Sequence, residues 1–76
     1  MKDLLIKIAK AIVDNPEQVQ VKEIVSTQTT VLELRVAETD MGKVIGKQGK
    51  TATAIRTLLN AVSGKVQKRY MLQIVD

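Results

Sequence analysis

The 76-residue sequence predicts a single two-layer α+β domain, a three-stranded sheet covered by helices on one face. Three observations carry that expectation. Two long stretches repeat apolar residues at helical spacing, three others alternate or are rich in β-branched side chains, and no linker, repeat or low-complexity segment separates them. The length is near the lower limit for one unstapled core. Apolar residues make up 45% of the chain and are almost all aliphatic, with Tyr70 the only aromatic, so Val, Ile and Leu must build the interior.

The elements follow in order. Residues 3–13 read as a helix, because Leu5, Ile8, Ala9 and Ile12 fall on one face and Lys2, Lys7 and Lys10 lie elsewhere. The run DNPE ends it, since Pro16 disfavours helix in the residue before it. Residues 19–25, rich in β-branched side chains, read as a strand, and STQTT as a polar turn. Residues 31–38 alternate, with Leu32, Leu34 and Val36 on one face and Glu33 and Arg35 on the other. A short helical turn is expected over 41–45, stopping at Gly46. Residues 50–63 form a strong helix with a stripe of Ala52, Ile55, Leu59 and Val62, and Gly64 suits its C-terminal cap. The last strand, 66–75, sets Val66, Tyr70, Leu72 and Ile74 on one face, with Lys68 of the same parity at its exposed end. The expected order is helix, strand, strand, helix, helix, strand.

Composition excludes several functions. Without cysteine or histidine there are no disulfides, zinc fingers or Cys/His nucleophile pairs, and the acidic residues form no paired motif near the glycines. No cofactor is expected. Lys7 and Lys10 interrupt the N-terminal apolar run, which argues against a signal peptide, and no segment is long enough to span a membrane. A cytoplasmic location is the default expectation.

Charge is distributed unevenly. Residues 1–40 carry five basic and seven acidic groups, whereas 41–75 carry seven basic groups (Lys43, Lys47, Lys50, Arg56, Lys65, Lys68, Arg69) and no acidic one. A polyanionic partner on the second half and a merely solvated cationic face explain this equally well.

The stretch MGKVIGKQGKTATAIRTLL decides between them. Its GKT, residues 49–51, resembles the end of a nucleotide-binding P-loop, but the first glycine of that motif falls at Val44 and a helical segment, not a strand, feeds the loop. The P-loop is rejected. Gly46 and Gly49 instead bracket Lys47 and Gln48 as a G-x-x-G loop between two helices. Glycines let backbone N–H groups approach a phosphate, and the following helix start adds a positive dipole end.

The stretch GKVIGKQGKTATAIRTLL resembles the KH-domain signature, and the element order resembles the bacterial type II arrangement. The resemblance covers residues 1–76 as one KH domain with its G-x-x-G loop at 46–49, and it is similar in particular to the KhpA family. It implies single-stranded RNA binding, a role as RNA chaperone and post-transcriptional regulator, and a link to cell-wall growth and cell shape. It also implies a homodimer, or a heterodimer with a larger KH-containing protein of the KhpB kind. One departure is Ala52, where many KH domains place a large aliphatic residue, which implies a roomier groove.

The expected RNA-binding residues are Lys43, Val44, Ile45, Gly46, Lys47, Gln48, Gly49, Lys50, Thr53 and Arg56. Lys47 is the leading phosphate contact, and Gln48 fills the turn or joins it. Lys43 and Lys50 contact phosphate or are simply solvated. Val44 and Ile45 line an apolar groove or belong to the core, and Thr53 and Arg56 edge that groove or face water. Lys65, Lys68 and Arg69 read as general surface charge, and Tyr70 as packing. With no exposed aromatic platform, recognition would rest on backbone contacts, aliphatic packing and base-edge hydrogen bonds. The alternative is a protein-interaction module with little RNA affinity, which salt-sensitive RNA binding would distinguish.

Overall fold

The computed structural model describes residues 1–66 and 69–75, and the side chains of these except 65 and 66. Expectations for the side chains of Lys65, Val66 and Lys68 lie outside the described residues. The order is helix α1 (Lys2–Ile12), strands β1 (Gln20–Val25) and β2 (Thr29–Arg35), helices α2 (Met41–Ile45) and α3 (Lys50–Val66), and strand β3 (Arg69–Val75). Short 3₁₀ turns sit at Pro16–Gln18, Glu38–Asp40 and Lys47–Gly49. This is the order expected from the sequence and from type II KH domains.

β2 is the central strand, antiparallel to β1 and parallel to β3. Along β2, Thr30, Leu32 and Leu34 are buried while Val31 and Glu33 remain partly open, so the strand's two-residue period selects one core face. Leu5 and Ala9 of α1, Ile55 and Leu59 of α3, Val21 of β1 and Leu72 of β3 close over that face. Each fully buried leucine in this layer contributes roughly 1.5–3 kcal/mol of apolar transfer free energy. The opposite face of the sheet carries Ile24, Val31 and Met71 in one cross-strand row, with Ile24 and Met71 exposed.

Two expectations are corrected. Gly64 does not cap α3 but lies inside it, and Val66 closes that helix rather than opening β3. The Ser63 hydroxyl accounts for part of this. It donates to the Leu59 carbonyl at 2.8 Å and accepts the Tyr70 N–H at 3.1 Å, tying the helix's last turns to the start of β3. That tie offsets the roughly 1 kcal/mol that glycine costs inside a helix.

Thr30 is fully buried, and among the described residues its hydroxyl oxygen has no hydrogen-bond partner. An unsatisfied buried hydroxyl costs about 1–3 kcal/mol. Thr30→Val replaces it with a methyl of similar size on a strand that favours β-branched side chains. The variant should be about 1 kcal/mol more stable. A chemical-denaturation midpoint at or below that of the parent would show that the hydroxyl is satisfied in solution.

Candidate nucleic-acid interface

The loop between α2 and α3 owes its shape to three residues with positive φ. Gly46 has φ 78° and ψ 169°, Gln48 has φ 58° and ψ 28°, and Gly49 has φ 75°. Glycine adopts such angles freely, whereas Gln48 does so at some cost in strain. A Cβ on Gly46 would stand 2.2 Å from the Thr51 hydroxyl oxygen and 2.7 Å from the Thr51 backbone nitrogen, while a Cβ on Gly49 meets nothing within 4 Å. The loop therefore folds tightly against the first turn of α3 at Gly46 and stays open at Gly49. Lys47, Gln48 and Lys50 are exposed around it. Among the described residues neither Lys47 nor Lys50 lies in an ion pair.

This arrangement offers an anion the exposed side chains at 47, 48 and 50 beside the start of a helix whose first turn holds no acidic residue, where the Gly49 and Lys50 N–H groups already donate to the Gly46 and Lys47 carbonyls. Phosphate oxygens suit such a place, since the helix end carries a partial positive charge and the lysines supply charged donors.

Further along α3, a groove of about 170 Å³ runs between that helix and the edge strand β3, lined by Arg56, Asn60, Tyr70, Met71 and Leu72 and so by no loop residue. Thr53 and Arg56, both exposed, lie on the same side of α3 as Asn60, one turn apart. Asn60 and Met71 were not among the expected site residues. Their signal was present for Asn60, which continues the 53–56 spacing by one turn, but absent for Met71, which alternation sets on the open face of β3 and which borders the groove at the sheet edge. A larger hollow of about 320 Å³ lies among Gln20, Val21, Lys22, Glu33, Arg35 and Val75 and includes no loop residue.

Of the two apolar candidates, Ile45 is 39% exposed and available, but Val44 is fully buried. For Val44, read as groove or core, the groove reading is corrected and the core reading holds: its side chain belongs to the core shared by α1, α3 and the sheet. Ala52 is buried as well, so its small size bears on interior packing rather than on groove width. Tyr70 packs against the core, as expected.

Lys43 occupies a different setting from the other lysines. Its ammonium forms an ion pair with Asp14 and lies 4.0 Å from the Asp40 carboxylate. Asp40, not singled out from the sequence, is almost completely buried. Its two carboxylate oxygens accept the backbone N–H of Asp14 at 3.1 Å, the backbone N–H of Asn15 at 3.0 Å and the Asn15 side-chain amide at 3.1 Å. Burial alone pushes the Asp40 carboxyl up, but these hydrogen bonds and the Lys43 charge outweigh it and hold the group below the usual carboxylate range. The Asp14 hydrogen bond, working against partial burial and helped by the Asp14 and Asp40 charges, holds Lys43 above the ordinary lysine range. Since Asp40's affinity for a proton is lower folded than unfolded, its contribution to stability is present above the unfolded carboxylate range and is lost as acid protonates it.

Among the described residues no three metal-ligating side chains lie together, and no helix is long and apolar enough to cross a membrane. The family model described as "KhpA/KhpB, KH domain" matches residues 2–74. RNA-binding protein KhpA of Clostridium acetobutylicum is 53% identical over 75 residues, covering 99% of this chain and all of the relative. RNA-binding protein KhpA of Caldanaerobacter subterraneus subsp. tengcongensis is also 53% identical over 75 residues, with the same coverage. The protein of that name from Aquifex aeolicus is 47% identical over 76 residues, covering 100% of this chain and 96% of its own. No solved structure gives a significant match.

Proposed function

The chain belongs to the KhpA/KhpB KH-domain family, a family of binding domains rather than enzymes, and from that premise we propose that it binds single-stranded RNA through its G-x-x-G loop. The observation that supports this most is the loop itself, tightly folded at Gly46, open at Gly49, and presenting Lys47 and Lys50 at the start of α3. Phosphates sit at the loop, and bases run from exposed Ile45 and Thr53 along α3 to the groove at Arg56 and Asn60, where edge strand β3 offers unpaired backbone groups. One domain of this kind binds weakly and with little sequence preference. The curated relatives carry the name RNA-binding protein, which agrees with the reading. A cytoplasmic RNA chaperone and post-transcriptional regulator, linked to cell-wall growth and cell shape, is the physiological role we assign to it.

Salt dependence tests the electrostatics. Two lysines that neutralise phosphates give a slope of log affinity against log salt near −1.4, from about −0.7 per contact on a single strand. A slope indistinguishable from zero, measured with a single-stranded oligonucleotide, would move the cationic half of the chain back to a solubility role.

A second reading, that the domain pairs with itself or with a larger protein of the KhpB kind, rests on α3. Ala54, Leu58 and Ala61 form an exposed apolar stripe on that helix, with Leu58 half exposed, and the first helix does not cover it. Small residues on either side of Leu58 let a second helix approach closely, and two weak RNA sites in one dimer gain avidity without new contacts. The two roles are compatible. Sedimentation equilibrium should show a dimer in the micromolar range that Ala54→Asp dissociates. A monomer throughout that range would leave the stripe to a heterologous partner, and a dimer insensitive to the substitution would place the interface elsewhere.

A further inference from the structure

We propose that Asp14 competes with RNA phosphate for Lys43. The inference rests on the RNA-clamp reading and deepens it. Lys43 sits on α2 one turn before Gly46, close in sequence to the lysines of the loop. Its ammonium is nonetheless paired with the Asp14 carboxylate, from the turn after α1. That turn is not free to drift. Both carboxylate oxygens of buried Asp40 grip it, through the backbone N–H groups of Asp14 and Asn15 and the Asn15 amide.

The two carboxylates near Lys43 therefore differ in kind. Asp40 is 1% exposed and already holds three hydrogen bonds, so it cannot leave, and its charge attracts Lys43 in every state. Asp14 carries its carboxylate on a side chain 75% exposed, against 43% for Lys43, and an ion pair so open is weak and readily exchanged. A phosphate arriving at the loop can take over Lys43, but Asp14 then stands unpaired beside the anion and gathers a counterion. The net gain from Lys43 is accordingly small while Asp14 is present. Removing the Asp14 charge should release Lys43 to the RNA.

The test compares the whole domain with Asp14→Asn, Lys43→Gln, the double variant, and Glu17→Gln as a loss of the same charge close by in sequence. Binding of a single-stranded RNA oligonucleotide is measured over a range of salt. Asp14→Asn should bind about two- to fivefold more tightly at low salt, as expected when one exposed ion-pair competitor is lost. Its salt slope should steepen from about −1.4 to about −2.1, the signature of one more lysine on phosphate. In the Lys43→Gln background the same change should give no gain. Equal affinity of the parent and Asp14→Asn, with both binding, would overturn the competition and leave the clamp standing. An equal gain from Glu17→Gln, or a gain that survives Lys43→Gln, would reduce it to a general field effect. Binding by neither protein would instead remove the RNA reading itself, and the competition with it.

Discussion

Changing Lys47 and Gln48 together to Asp should abolish RNA binding and leave the domain folded. Both side chains are exposed in the loop and neither belongs to the core, so the fold loses no packing. Position 48 has φ 58°, a left-handed conformation that Asp tolerates better than Gln. Two carboxylates just before Lys50 also complement the positive end of α3, so stability should hold or rise slightly. For an anionic ligand every one of these changes has the opposite sign. Position 47 goes from +1 to −1 and position 48 from 0 to −1, a change of −3 against a net charge of +4. The new carboxylates repel a phosphate at the place where Lys47 now attracts one. Each charge-assisted hydrogen bond lost is worth about 1.5–3 kcal/mol, enough to remove a weak interaction. Circular dichroism and denaturation should match the parent while binding of a single-stranded oligonucleotide disappears. Undiminished binding by the folded variant would sink the clamp.

The parts of this fold that were legible in the sequence are those whose cause is local. Leu32 and Leu34 alternate, Leu5 and Ala9 repeat at helical spacing, as do Ile55 and Leu59, and in each case the repeat sits on the buried face. The G-x-x-G loop was legible for the same reason, because two glycines and a lysine at fixed spacing describe their own backbone requirement. What escaped depends on partners distant in sequence. Asp40 stands directly before α2, where an acidic residue suggests a helix cap, but its carboxylate serves Asp14 and Asn15, 26 and 25 residues earlier. Lys43 is engaged with Asp14, 29 residues away. Val44 lies on a helix of five residues, too short for periodicity to separate core from groove. Gly64 carries the usual sign of a helix end, and only the Ser63 contacts with Leu59 and Tyr70 show why α3 continues past it. The groove beside α3 required the register of β3, which no local pattern supplies.

The two loop glycines, identical in the motif, should respond very differently to a single methyl group. Gly46→Ala is expected to destabilise the domain by about 2–6 kcal/mol, combining 1–3 kcal/mol of backbone strain with a similar overpacking cost. The strain arises because φ 78° with ψ 169° is a region that residues with a Cβ essentially do not occupy. The overpacking arises because the new methyl would stand 2.2 Å from the Thr51 hydroxyl oxygen and 2.7 Å from its backbone nitrogen. The hydroxyl can rotate away, but the nitrogen belongs to the first turn of α3 and can move only with the helix. A domain of this size has roughly 4–11 kcal/mol of total stability, so the loss takes a large share of it. Gly49→Ala also meets a positive φ, of 75°, but its methyl enters open space. Its cost should be limited to roughly 1–2 kcal/mol of left-handed strain. Urea denaturation of the two variants therefore separates the roles of the glycines. The midpoint should fall much further for Gly46→Ala than for Gly49→Ala, with similar slopes for both. Adding Thr51→Ala to Gly46→Ala should recover only part of the loss, because the backbone nitrogen remains in the way. Equal losses at positions 46 and 49 would mean that the loop is not folded onto Thr51 as described. The shared strain of a left-handed backbone would then be the whole of its requirement for glycine.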